Sequence, residues 1–64
     1  MPALGALTVK PYPGQEMWVQ ALADGDYEIG VQFNRDQYTM IEVNREALEQ
    51  LSTNIIAVLL DTGL

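Results

Sequence analysis

Tyr27-Glu28-Ile29-Gly30-Val31-Gln32-Phe33 is the stretch on which the fold turns. Tyr27, Ile29, Val31 and Phe33 fall on one face of an extended chain, and Glu28, Gly30 and Gln32 on the other. That period of two specifies a strand with one buried and one solvated face. Turn chemistry stands on both sides. Ala23-Asp24-Gly25 precedes it, with Gly25 free to take the positive φ that a tight hairpin demands, and Asn34-Arg35-Asp36 follows. Working outward, residues 16–22 carry Met17, Trp18, Val19 and Leu22 and read as a strand, and residues 37–43 read as another.

The helix signal begins where the third strand ends. Asn44 is placed as an N-cap, and Glu46 sits in the first turn, where the helix dipole favours an acid. Leu48, Leu51, Ile55, Val58 and Leu59 recur at helical spacing and form one apolar stripe. Gly63 is a suitable stop. Residues 1–15 read as an extended arm broken by Pro2, Pro11, Pro13 and Gly14, although residues 4–9 have the composition of a short strand. The expectation is one α+β domain over residues 1–64: arm 1–15, three-stranded antiparallel meander 16–43, and helix 44–61 packed on one face of the sheet.

Two registers are open for the first hairpin. A two-residue Asp24-Gly25 turn puts Trp18 and Leu22 on the face of Ile29 and Val31. A three-residue Ala23-Asp24-Gly25 loop with a glycine bulge puts Met17, Val19 and Ala21 there and turns Trp18 outward. The second is preferred because it keeps Val19 in the core. On the last strand Ile41 and Val43 face the core, leaving Tyr38, Met40 and Glu42 beside Glu28.

Composition restricts the chemistry. The chain has 64 residues, nine acids, three basic residues, and neither histidine nor cysteine, for a net charge of −6. Disulfides are absent, a structural zinc site has no soft ligands, and a nucleophile–base pair cannot be built around Ser52. Lys10, the only lysine, lies in the arm and is a poor Schiff-base candidate. No enzyme and no cofactor is expected. Asp24-Gly25-Asp26-Tyr27-Glu28 invites a calcium reading, but an EF-hand loop needs Gly sixth and Glu twelfth, where Ile29 and Arg35 stand, so no metal is expected. The acidic balance disfavours direct contact with nucleic acid or anionic lipid and favours a basic protein surface. The apolar run 55–60 is too short to span a bilayer, and the opening residues lack a signal peptide's positive region; the expected location is cytoplasmic.

Two surfaces are candidates for binding. One is an acidic ridge of Asp24, Asp26, Glu28, Asp36 and Glu42, extended by Glu46 and Glu49, with Trp18 and Tyr38 as aromatic anchors. The other is the helix end, where Ile56 and Leu60 lie off the main stripe and would meet either a second copy of the chain or the arm through Leu4 and Leu7.

The short, cysteine-free and histidine-free chain, the acidic Asp24-Gly-Asp-Tyr-Glu tip and the junction Ile41-Glu-Val-Asn-Arg-Glu-Ala-Leu together resemble the small anti-CRISPR inhibitors of phages and mobile elements. The resemblance implies a non-enzymatic inhibitor whose acidic surface occupies the basic, DNA-binding channel of a CRISPR-Cas effector in a host bacterial cell. A small homodimeric structural or assembly module working through the apolar helix is the alternative.

Overall fold

The computed structural model describes residues 5–62. They form four strands and one helix: β1 (Leu7–Val9), β2 (Glu16–Ala21), β3 (Tyr27–Asn34), β4 (Gln37–Val43) and α1 (Arg45–Thr62). The sheet is a single antiparallel meander in the order β1-β2-β3-β4. The class is therefore α+β, but with four strands where three were expected. The extra strand comes from the arm, where Leu7, Thr8 and Val9 pair with Val19, Trp18 and Met17. Pro13 and Gly14 do not break the arm off the sheet; they return it. Gln15 N–H donates to Tyr12 O at 3.0 Å around a Pro-Gly turn whose glycine has φ +82°, the geometry of a type II turn. Leu4 and Gly63, assigned roles above, lie outside the described residues.

The β2–β3 connection selects the three-residue register. Gly25 N–H donates to Leu22 O at 3.2 Å, Leu22 N–H donates to Asp26 O at 2.8 Å, and Gly25 has φ +91°. This is a turn followed by a left-handed glycine, which fixes a one-residue bulge at the loop. Val19 stands opposite Ile29, Met17 opposite Val31, and Trp18 opposite Gly30. At the other end, Asn34 Oδ1 accepts from the backbone N–H groups of Asp36 and Gln37 at 2.9 and 3.1 Å, closing the β3–β4 turn. Pairing slips by one residue between Gln32 and Asn34. Phe33 is the extra residue there, so it leaves the alternation expected for it and is exposed.

One face of the sheet carries the rows Leu7–Val19–Ile29–Ile41 and Val9–Met17–Val31–Thr39. The other carries Trp18, Gly30 and Met40 among Gln20, Glu28, Gln32, Tyr38 and Glu42. The only buried large side chain among the described residues belongs to the second face: Trp18 is 3% exposed. The apolar face expected to hold the core is open, with Leu7 76% exposed. Helix α1 starts as anticipated, Asn44 Oδ1 accepting from Ala47 N–H at 2.8 Å. It does not pack down as anticipated, for none of its residues is buried. The radius of gyration, 13.0 Å, exceeds the roughly 10.7 Å of a compact domain of this length.

Candidate functional site

The acidic side chains are sorted by the two turns. Asp24 and Asp26 flank Gly25 in the β2–β3 loop, and Asp24 Oδ1 accepts from Asp26 N–H at 3.0 Å, fixing the loop from within. The register brings Glu42 of β4 to that same end, opposite Glu28 of β3. Asp24, Asp26 and Glu42 each offer a carboxylate oxygen within 4.8 Å of the others. The Glu42 carboxyl is pushed above its ordinary range, chiefly because in its protonated form it hydrogen-bonds Asp24 and then Asp26, and further because their charge repels its own. Three single-oxygen donors, Asp24 and Glu42 exposed and Asp26 half-buried, fall short of the six to eight oxygens that Ca²⁺ takes, so the spacing alone defines no metal centre.

Glu28 belongs to the same end of the sheet but to a different environment. Its Oε2 accepts from the Trp18 indole N–H at 3.0 Å and from Gln20 Nε2 at 2.7 Å. These two donors, Trp18 first, hold its carboxyl below the ordinary range. The indole ring lies in the notch that Gly30 leaves: a Cβ on Gly30 would overlap Trp18 Cε2 and Cζ2. Trp18 is thus on the expected face yet withdrawn from solvent, and an anchor for a partner would have to come from Tyr38, which is exposed on that face. Gln20 and Gly30 were not singled out by sequence reasoning. The one available signal was a glycine in the middle of an otherwise strong strand, which marks a close approach.

The remaining acids are dispersed. Asp36 sits in the β3–β4 turn, roughly 23 Å from the Asp24 end by the rise of the intervening strand. Glu49 is taken by Arg45, whose Nε lies 2.8 Å from Glu49 Oε1, the only ion pair among the described residues. Glu46 is exposed in the first turn of α1. The long ridge therefore contracts to Asp24, Asp26, Glu28 and Glu42.

On the opposite face lies an apolar groove of about 540 Å³ between sheet and helix. Leu7, Val9, Met17, Val19 and Ile29 form one wall, and Leu48, Leu51, Ile55 and Ile56 the other. Ile56 reaches this groove; Leu60 does not line it and is 64% exposed further along α1. Among the described residues no helix is long and apolar enough to cross a membrane. No family model, curated protein or solved structure matches the chain.

Proposed function

We propose that this chain is a non-enzymatic inhibitor that docks the Asp24 end of its sheet on a basic, nucleic-acid-handling host protein and blocks DNA binding there. The observation that carries the reading is the Asp24–Asp26–Glu42 cluster, three carboxylates held within 4.8 Å with no cationic side chain paired to them among the described residues. The bond from Asp26 N–H to Asp24 Oδ1 fixes the two loop acids before any partner arrives, and strand pairing brings Glu42 to the same end. An arginine or lysine from a partner would relieve the repulsion among the three, so attraction is stored in the free protein. With Asp36 at the far end and Glu49 neutralised by Arg45, the charge suits a compact plug rather than a copy of an extended duplex. The resemblance to anti-CRISPR inhibitors makes a CRISPR-Cas effector the first partner to test.

The test is a DNA-binding competition with purified effector complexes. Asp24→Asn/Asp26→Asn/Glu42→Gln removes the three charges, keeps an acceptor at Asp24 for the loop, and should abolish inhibition while circular dichroism stays unchanged. Full inhibition by the folded triple variant removes this reading.

A second reading, a small structural or assembly module, is favoured by a different observation: the 18-residue helix buries none of its residues. Under that reading Ile56→Glu/Leu60→Glu abolishes function and the acidic triple variant does not.

A further inference from the structure

We propose that a second copy of this chain covers the apolar face, giving a two-fold dimer in which each helix α1 packs against the other copy's sheet. The inference holds whichever partner the acidic end takes, because it concerns the opposite face.

The area comes first. The chain exposes 5310 Å², whereas a compact monomer of its 7.1 kDa would expose roughly 4100 Å². The excess, about 1200 Å² per chain, is in the range that an obligate homodimer buries on each side. The distribution of charge comes second. A chain of net charge −6 repels its own copies over most of its surface. Residues 50–60 of α1 carry no charged side chain, and neither do the rows Leu7–Val19–Ile29–Ile41 and Val9–Met17–Val31–Thr39. Two acidic copies can approach there without bringing like charges together. Third, both halves of the interface are on one chain. The helix is apolar on two adjoining flanks that share Leu51 and Ile55: one lines the groove over the sheet, and the other continues along the helix through Val58 and Leu59. A two-fold axis needs such a self-complementary pair of surfaces, helix to sheet and sheet to helix. Closing the groove in this way supplies the core that the isolated chain lacks.

Light scattering on the full chain tests this. The expected mass is twice 7.1 kDa, retained at high salt because screening weakens the repulsion between copies and leaves apolar contact intact. The absence of native cysteine allows a second test that needs no disruptive substitution. Leu7→Cys and Ile56→Cys, prepared as separate proteins and mixed under oxidising conditions, should form the mixed disulfide in preference to either like pair. A mass of 7.1 kDa that persists to millimolar chain overturns the proposal, and another protein would then be the occupant. An assembly of three or more chains, or disulfides only between like variants, overturns it equally.

Discussion

The Trp18 indole and the Glu28 carboxylate lie on adjacent strands, two residue pairs out of step, and meet through a 3.0 Å hydrogen bond. Gly30, directly opposite Trp18, is what allows the ring to lie flat enough to reach. The most buried side chain of the described fold therefore depends on the absence of a side chain across the ladder. Gly30→Ala should cost about 1–3 kcal/mol, the usual penalty of overpacking a filled site. The backbone at 30 has no positive φ, so the loss would report the clash with the ring and nothing about backbone strain. Combining Gly30→Ala with Trp18→Leu should recover part of it. A melting temperature for Gly30→Ala equal to that of the parent would mean the ring does not occupy the notch in solution.

The two carboxyls that face each other across β3 and β4 titrate in opposite directions. Glu28 is lowered by the Trp18 and Gln20 donors, so its contribution is present above the ordinary carboxylate range and is lost as pH falls through its depressed value. Glu42 is raised by Asp24 and Asp26, so its contribution is full below the ordinary range and is lost as pH rises through its elevated value. As neutral solution is acidified, Glu42 takes up its proton first and the fold gains; Glu28 follows last and the fold loses. Stability should peak on the acid side of neutrality, between the two transitions. Glu42→Gln should remove the gain and Glu28→Gln the loss. Carboxyl carbon shifts followed by NMR give the order directly, and a midpoint for Glu42 below that of Glu28 would refute this account.

The elements were legible where local chemistry decides them. Alternation over residues 27–33, the Ala23-Asp24-Gly25 loop and the Asn44 cap are written in residue types and short spacings, and the structure has a strand, a bulged hairpin and a capped helix there. The fourth strand was harder to read, because Leu7, Thr8 and Val9 are too few to show a period and acquire strand geometry only by pairing with β2. The bulge at Phe33 was hidden for a similar reason: it depends on how Asn34 closes the next turn, not on Phe33 itself. Of the acidic ridge, Asp24, Asp26, Glu28 and Glu42 come together because two turns and one register place them at one end. Asp36 belongs to the other turn, and spacing along the chain does not reveal which end of a sheet a turn occupies. The burial of Trp18 was the least accessible feature, since it requires the cross-strand identity of residue 30.

Helix α1 relies on its first turn more than a packed helix would, because none of its residues is buried in the isolated chain. The Asn44 side chain satisfies Ala47 N–H at 2.8 Å, and Asn44 O accepts from Leu48 N–H at 3.1 Å. Asn44→Ala should cost about 1 kcal/mol and appear as a lower helical signal in circular dichroism while the sheet persists. Asn44→Asp keeps the acceptor and should restore most of the helicity. Equal helicity in all three proteins would show that the helix is held by something other than its cap.

The Asp24–Asp26–Glu42 cluster places stability and binding in opposition. Three carboxylates within 4.8 Å destabilise the fold at neutral pH, and no paired cation compensates them among the described residues. Glu42→Gln removes one charge and keeps a donor for Asp24, so it should raise the melting temperature at neutral pH. Added salt should stabilise the parent by screening the cluster, and should help the variant less. If the cluster serves a basic partner, the same substitution should slow association by about tenfold, since clustered charge raises encounter rates by one to three orders of magnitude. A more stable variant that binds more slowly is the signature of residues kept for contact at the expense of the fold. A variant that gains stability and binds at the parent's rate would show that the cluster is only a solvated turn, and the search for a partner would move to the face that carries Leu7 and Ile41.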